Sequence, residues 1–182
     1  NKTLLPTTQC ILNNNRNPSF GKEDFEQIFK DHLAVTNIVW LENGIIGDDT
    51  DGHIDNLARF VNQTTILCTF EENKKDPNYK NLKENYEILR TARDEAGKKF
   101  KIVKLPTPKL FFRKKRLPAS YCNFYIANNA VLVPMFNLST DKIALKTIAK
   151  FFLTRKVTGI ECSDLVFGNG TIHCISQQQP KP

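Results

Sequence analysis

One short segment of the chain concentrates residues that could do chemistry. Residues 47–55, Gly-Asp-Asp-Thr-Asp-Gly-His-Ile-Asp, hold four carboxylates and one of the three histidines. His53 and Asp55 are two residues apart, so in an extended segment their side chains point to the same side. An imidazole beside a carboxylate keeps its proton to higher pH, which suits a general acid near neutrality. Several carboxylates facing one cavity also suit a guanidinium, a planar cation that forms paired hydrogen bonds with them.

A second candidate lies near the other end of the chain. The glycine-containing turn at residues 168–170 is predicted to lead into a short strand that carries Cys174, whose thiol could approach a ligand closely. Successive side chains of a strand face opposite ways, which makes His173 a poor base for Cys174. His53 is the better candidate, because catalytic cysteine–histidine pairs are typically assembled in space.

From spacing alone, both candidates have ordinary alternatives. A free cysteine is often a small buried apolar residue, and the other four are interpreted in that way: Cys10, Cys68, Cys122 and Cys162. The acidic segment could be a solvated loop or a calcium loop. A calcium loop closes with a glutamate at its twelfth position, but counting from Asp49 reaches Phe60 and from Asp48 reaches Arg59. No metal site is therefore predicted.

Hydrophobic patterning predicts the elements that position these residues. Strands are predicted over residues 3–12, 37–41, 57–61, 65–70, 100–105, 121–127, 131–134 and 157–161. Helices are predicted over residues 22–33, from Asn78 to Gly97, and from a cap at Thr140–Asp141 to Phe152. The order strand–strand–helix–strand occurs twice, with the tail of an earlier copy before the acidic segment. This weak repeat predicts an α+β fold made of pseudosymmetric units, truncated at the N-terminal side.

Composition and charge limit the classes of protein. A chain of 182 residues with 40% hydrophobic residues can form one domain with a sizeable core. No apolar run is long enough to span a membrane. The net charge of +7 comes largely from the run Arg113–Arg116. No nucleic-acid-binding pattern accompanies this run, so a solvated loop is expected and no nucleic-acid partner.

The cysteines and the first residues give two further expectations. Five cysteines without a CxxC pair indicate neither a zinc site nor a disulfide framework, so a reducing cytoplasm is expected. The chain starts at Asn1 with no methionine and no signal pattern, and enters directly into strand-like sequence. We therefore expect a segment of a longer protein.

Three motifs carry a resemblance to a known family. Residues 47–60, 117–125 and 170–180 resemble the agmatine deiminase family, which is related to bacterial peptidylarginine deiminases, and the likeness runs in family order from Thr3 to Pro180. It implies a pentein-like fold, the five-bladed α/β propeller of guanidine-modifying enzymes, with residues 1–182 as the C-terminal portion of one catalytic domain. Asn169 stands where the family usually has Gly. The N-terminal portion with its further carboxylate motif is absent, so the resemblance implies an incomplete site.

The resemblance also implies roles for individual residues. Cys174 is the implied nucleophile, His53 the acid and then the base, and Asp55 the guanidinium anchor. Asn123 matches a family position near the catalytic cysteine and is, with Asp51, an implied substrate-binding residue, although Asp51 could equally cap the turn. The implied reaction is hydrolysis of agmatine to N-carbamoylputrescine and ammonia through an amidino-cysteine, without metal or cofactor. For the oligomeric state, a homodimer is the default expectation.

Two other functions stay open at this stage. A deiminase acting on peptidyl or free arginine would have to present a basic side chain to the substrate carboxylate, which the run Arg113–Arg116 could supply. A non-catalytic module that contacts nucleic acid through the same run ranks far lower. In that case binding would depend steeply on salt.

Overall fold

The structure, a computed structural model, describes residues 2–179. The strands in this part of the chain are β1 (Thr3–Leu4), β2 (Asn37–Ile38), β3 (Ala58–Asn62), β4 (Thr65–Phe70), β5 (Lys101–Pro106), β6 (Phe111–Phe112), β7 (Lys115–Arg116), β8 (Tyr125–Ile126), β9 (Ala130–Met135) and β10 (Lys156–Glu161). The helices are α1 (Thr8–Ile11), α2 (Lys22–Leu33), α3 (Tyr79–Thr91) and α4 (Asp141–Ala149). Short 3₁₀ helices lie at Ile54–Asn56 and Leu165–Gly168.

Two α+β units repeat the same order of elements. In the first unit, β3 pairs antiparallel with β4, α3 follows, and β5 returns parallel to β4. In the second unit, β8 pairs antiparallel with β9, α4 follows, and β10 returns parallel to β9. Ahead of them, β1 and β2 form a parallel pair that flanks α1 and α2. The predicted strand–strand–helix–strand repeat is confirmed, and so are the bounds predicted for α2.

Strand β4 lies between the two hydrophobic cores. All six of its residues are buried, and successive side chains of a strand alternate between faces. Ile66 and Cys68 pack in the core of the first unit, which also contains Leu82 and Leu89 of α3. Leu67 packs on the other side, in the core of the second unit. One strand therefore fixes the first unit against the second.

The predicted strand over residues 3–12 is wrong beyond Leu4. Thr7 makes an isolated parallel bridge with Leu41, and the chain then turns into α1. The hydroxyl of Thr7 accepts the amide of Cys10 at 3.2 Å, which is the bond of a helix N-cap. The predicted strand over residues 37–41 is likewise reduced to β2 and this bridge.

The predicted strand over residues 121–127 is also shorter, because the side chain of Ser120 bonds a backbone amide that a strand would use for sheet pairing. The hydroxyl of Ser120 accepts the amide of Cys122 at 3.1 Å, and the carbonyl of Ser120 accepts the amide of Asn123 at 3.3 Å. These bonds fold the segment into a turn before β8 begins. The predicted hairpin between β8 and β9 is confirmed.

The helix predicted to reach Gly97 ends at Thr91. The carboxylate of Asp94 accepts the amides of Ala96 at 2.9 Å and of Lys98 at 2.8 Å. An aspartate that bonds amides two and four residues ahead stabilises a turn in place of further helix. Gly97 occupies that turn with a φ of +76°.

Neither predicted cap acts through its side chain. The amide oxygen of Asn78 accepts the backbone amide of Ile46 at 2.8 Å, so it anchors the loop before the acidic segment. Thr140 makes no capping bond, and the neighbouring Asp141 accepts the amide of Phe136 at 3.0 Å. Asn78 and Asp141 therefore each connect the start of a helix to another segment of the chain.

No helix within residues 2–179 has the length and the apolar content that crossing a membrane requires.

The run Arg113–Arg116 forms a hairpin in place of a solvated loop. Arg113 and Lys114 connect β6 to β7 with φ angles of +46° and +67°, the left-handed pair of a two-residue turn. Arg116 is buried: its Nη1 lies 2.7 Å from Asp76 Oδ2, and its Nη2 donates to the carbonyl of Pro108 at 3.1 Å. Its guanidinium therefore connects the hairpin to Asp76 and Pro108 and contributes to the packing of the fold.

We expect Arg116→Met in the full-length protein to lower the free energy of unfolding by about 3 kcal/mol, because the Asp76 carboxylate loses its buried partner at 2.7 Å and keeps only the half-exposed Lys109 at 3.5 Å as an ion-pair partner within residues 2–179. Unfolding in urea measures the change. The matched control is Arg113→Met at the exposed hairpin tip, which we expect to stay within about 0.5 kcal/mol of the wild type. Equal losses in both variants would contradict the structural role of Arg116.

Candidate active site

The carboxylate of Asp48 folds the acidic segment. Its Oδ1 accepts the amide of Thr50 at 2.9 Å and also the Thr50 hydroxyl. Its Oδ2 accepts the amide of His53 at 3.2 Å and the side chain of Asn56 at 3.3 Å. The segment therefore curls into the 3₁₀ helix Ile54–Asn56 in place of the extended form considered from spacing, and Asp55 is buried within that helix.

Gly52 allows the close packing beneath this curl. Its φ is +81°, and a Cβ at this position would lie 2.7 Å from the side-chain oxygen of Gln9 and 2.9 Å from the amide of Gly44. Gln9 uses the same oxygen to accept that amide at 2.7 Å. A side chain at Gly52 would thus break the contact between α1 and the acidic segment.

The predicted strand around Cys174 is wrong, because the segment is a turn. The amide of His173 donates to the backbone carbonyl of Asn123 at 3.2 Å and to its side-chain oxygen at 3.0 Å. The amide of Cys174 approaches that same oxygen at 3.4 Å. In a β-strand these backbone amides would instead donate to the carbonyls of a neighbouring strand. The inference that His173 faces away from the site because strand side chains alternate therefore loses its basis.

Asn123 is the buried connection between the two ends of the site, with 0% exposure. Its side-chain nitrogen lies 3.0 Å from Cys174 Sγ, 3.1 Å from Asp55 Oδ2 and 3.2 Å from Asn56 Oδ1. Its oxygen accepts the hydroxyl of Thr171 at 2.7 Å. These partners are all groups of the protein, so contact between Asn123 and a substrate stays a prediction.

The two oxygens of Asp55 have different surroundings. Oδ2 lies 2.7 Å from Nδ1 of His173 and accepts from Cys174 Sγ at 3.4 Å, besides its bond from Asn123. Oδ1 is buried and has no hydrogen-bond partner within residues 2–179. Burial alone would raise the pKa of Asp55, but the hydrogen bond and charge of His173, the bond from Cys174 and the charge of His53 together lower it. Asp55 is thus an anion.

Two cavities meet at this carboxylate. The larger has a volume of 430 Å³ and is lined by Asp49, Thr50, His53, Asp55, Leu165, Gly168, Asn169, Gly170, His173, Cys174 and Ile175. The smaller has a volume of 290 Å³ and a mainly apolar wall of Pro6, Thr7, Cys10, Ile11 and Ile54. His53, Asp55 and His173 line both cavities. The structure therefore brings together three sequence-predicted residues, Cys174, His53 and Asp55.

Asp51 does not line either of these cavities. Its φ of +63° turns the chain, and its Oδ2 accepts the side chain of Asn15 at 2.9 Å and lies 4.0 Å from Arg16. The structure thus places Asp51 at the contact with the loop after α1. Its predicted substrate-binding role stays a prediction, and the amides of the turn are accepted by Asp48. Within residues 2–179, no three His, Cys, Asp or Glu side chains are placed to ligate one metal ion.

A hydrogen bond joins the two segments at the wall of the larger cavity. Asn169 Nδ2 donates to Asp49 Oδ2 at 2.7 Å, across 120 positions of the sequence. Asn169 has a left-handed φ of +63°, a conformation that glycine or asparagine adopts readily. The asparagine can therefore replace the usual glycine of the resembled family and add a contact to Asp49.

The sulfur of Cys174 is crowded even though the residue reaches solvent. A Cβ on Gly170 would lie 3.0 Å from Sγ, and Asn123 and Asp55 lie on its other sides. Loss of water raises the pKa of the thiol, and the charge of Asp55 raises it further. The hydrogen bonds from Asn123 and from the backbone of Thr171 lower the pKa, but less. Cys174 is therefore a thiol at neutral pH in the substrate-free protein.

Sequence reasoning missed two residues of this site. His173 holds Asp55 at 2.7 Å, and Asp48 organises the acidic segment. The signal for Asp48 was present, because an aspartate two residues before a threonine commonly bonds its own turn. No sequence pattern indicated His173, because only the turn imposed by Asn123 brings its ring to Asp55.

Comparison with known proteins extends along almost the whole chain. The family model for Porphyromonas-type peptidyl-arginine deiminases matches residues 1–180. A Legionella pneumophila relative is 40% identical over 181 residues, which are 98% of this chain and 52% of that protein. The chain thus spans about half the length of the curated relatives it matches.

Two solved structures of named enzymes share the fold. The agmatine deiminase of Enterococcus faecalis has a TM-score of 0.91 and 32% identity, covering 98% of this chain and 54% of that one. The C. jejuni agmatine deiminase with substrate bound has a TM-score of 0.87 and 36% identity, covering 94% of this chain and 50% of that one. The α+β fold seen here is the fold of these deiminases. With the family model matched over residues 1–180, the chain belongs to the Porphyromonas-type peptidyl-arginine deiminase family and is homologous to agmatine deiminases.

Proposed function

We propose that the protein containing this chain hydrolyses the guanidinium group of agmatine to N-carbamoylputrescine and ammonia. One observation carries the proposal: Cys174, His53 and Asp55 line a single cavity, and the Asp55 carboxylate lies 3.4 Å from the sulfur. A largely buried carboxylate is stabilised by hydrogen-bond donors and by positive charge from a ligand. A guanidinium supplies both the donors and the compensating charge.

Binding through Asp55 sets the geometry for attack. Asp55 lines both cavities and is held by Asn123 and His173, so a guanidinium in the cavity pairs with a carboxylate of fixed orientation. The sulfur of Cys174 lies 3.4 Å from Oδ2, so a guanidinium held by this carboxylate has its carbon within reach of Sγ. The carbon is a weak electrophile because its charge is delocalised, which makes this fixed position the main contribution of the site.

The substrate also helps to ionise the nucleophile. The charge of Asp55 raises the pKa of the Cys174 thiol in the free protein, and burial raises it most. A bound guanidinium compensates that charge, so the thiol loses its proton more readily once the substrate is in place. The timing is useful, because the thiol stays protonated and less reactive until then.

His53 moves the protons of both covalent steps in the proposed reaction. The Sγ–C bond forms as His53 takes the thiol proton, and the C–N bond breaks as His53 gives that proton to the departing ammonia. Water then adds to the amidino-cysteine as His53 accepts a proton from it, and the C–S bond breaks as His53 returns that proton to the sulfur. The carbamoyl product gives up its hydroxyl proton, which leaves with the ammonia as ammonium. The sequence balances without a metal or an organic cofactor.

The charges around the cavity favour agmatine over arginine. Agmatine carries an ammonium at its far end and no carboxylate, whereas arginine would need a cation for its carboxylate. The cavity wall described above contains the carboxylate of Asp49 and no lysine or arginine. Arg116 of the basic run is buried on Asp76, and the rest of the run lies on the β6–β7 hairpin outside the cavity wall.

We further propose that the two units, with the remainder of the protein, close into the five-bladed propeller. The repeat of two strands, a helix and a parallel third strand supports this arrangement. The product N-carbamoylputrescine would place the reaction in putrescine biosynthesis. A homodimer and a cytoplasmic location stay predictions.

We expect Cys174→Ser in the full-length protein to release no ammonia from agmatine while still binding it, because only the nucleophile is lost. Mass spectrometry of the wild-type protein quenched during turnover should find an amidino adduct on the peptide that contains Cys174. Ammonia release at the wild-type rate by the variant would refute the nucleophile.

We expect Asp55→Asn to raise KM for agmatine at least roughly tenfold, since a hydrogen bond to a charged group contributes about 1.5–3 kcal/mol. The same change removes a charge that raises the pKa of Cys174, so iodoacetamide should alkylate Cys174 faster near neutral pH. Peptide mapping separates this thiol from the buried ones. Slower or unchanged alkylation would contradict the electrostatic argument.

We expect the wild-type protein to release ammonia from agmatine and not from arginine or arginine peptides. Asp49→Asn keeps an oxygen for Asn169 but removes the charge, so KM for agmatine should rise about threefold, as for an exposed ion pair. The control is Asp31→Asn on the exposed surface of α2, with KM unchanged. Preference for arginine would favour the alternative substrate.

A further inference from the structure

We propose that His173 is a positioning residue that holds the Asp55 carboxylate in the orientation that binds the substrate. The inference rests on the proposed function and deepens it. His173 Nδ1 lies 2.7 Å from Asp55 Oδ2, and both residues line the two cavities. The ring is therefore placed to fix the carboxylate that a guanidinium in the cavity would contact.

The backbone of His173 is itself held firmly. Its backbone amide donates to Asn123 at 3.0 Å and 3.2 Å, and its carbonyl accepts both the amide of Ser176 at 3.1 Å and the Ser176 hydroxyl at 3.0 Å. The side chains of His173 and Asp55 are 26% and 11% exposed, so the bond between them is largely shielded from water. A shielded hydrogen bond to a carboxylate restrains the rotation of that carboxylate.

The chemistry of Asp55 decides the proton on His173. An ionised carboxylate only accepts hydrogen bonds, so Nδ1 must carry a hydrogen and donate it to Oδ2. Nδ1 is then unavailable as a base for Cys174. The two histidines of the site therefore have separate tasks: His53 moves protons, and His173 orients the anion.

Without the ring, Oδ2 would keep only the donors from Asn123 and Cys174. The sulfur cannot serve as a restraint during the reaction, because Cys174 loses its proton when it attacks. Asn123 alone would then fix the carboxylate, so the guanidinium would lose its alignment with Sγ. The loss should affect substrate binding first and the attack second.

Two substitutions of similar polarity separate this role from simple packing. In His173→Asn the side-chain nitrogen can take the position of Nδ1 and donate to Asp55, whereas in His173→Gln it reaches the position of Nε2. We expect the Asn variant to stay within about threefold of the wild-type KM for agmatine and the Gln variant to exceed it about tenfold, as does His173→Ala. Equal effects in the Asn and Gln variants, or none in the Ala variant, would overturn the proposal.

Binding in a Cys174→Ala background distinguishes this inference from the proposed function. Calorimetry of agmatine with that protein and with its His173→Gln derivative does not depend on turnover. A roughly tenfold weaker Kd in the derivative supports the positioning role even if the wild-type protein releases no ammonia, which would refute only the reaction. Equal Kd values overturn the positioning role, and no binding to either protein overturns both.

Discussion

The site depends on a single buried amide, the side chain of Asn123. It is completely buried, and it donates to the sulfur, to the anchoring carboxylate and to the neighbouring Asn56, while its oxygen accepts from the last segment of the site. A buried amide with missing partners costs about 1–3 kcal/mol for each unsatisfied group. These bonds form together only when residues near 55, 123 and 173 meet. The fold therefore cannot satisfy Asn123 without also assembling the catalytic groups.

The negative charge of Asp55 opposes ionisation of the Cys174 thiol, and a cationic substrate would relieve this opposition. The anion that should attract a guanidinium also opposes ionisation of the thiol beside it. The protein reduces the cost of the anion with His173, His53 and hydrogen bonds, which keep the pKa of Asp55 low. The pKa of the Cys174 thiol, in contrast, stays raised, so its ionised form is unfavourable. A positive ligand resolves the conflict for both groups, so binding and activation become one event.

Elements whose cause is local could be predicted from sequence, and those whose cause is distant could not. Buried strands such as β4 and the helix α2 follow from hydrophobic patterning, and so does the repeated order of elements. The turn that carries Cys174 depends on Asn123, fifty-one positions away in the sequence. The burial of Arg116 depends on Asp76. Patterning contains no information about such partners, which is why a strand and a solvated loop were predicted there. The contact of His173 with Asp55 was missed for the same reason.

The position of the sulfur along the chain has a consequence for the order in which the protein is made. The carboxylate and the imidazole proposed to transfer protons lie in the first third of this chain, whereas the thiol and the histidine proposed to orient the carboxylate follow more than a hundred residues later. During synthesis the ribosome therefore releases Asp55 and His53 before Cys174. The proposed site is complete only when the last segment has been made and has met Asn123.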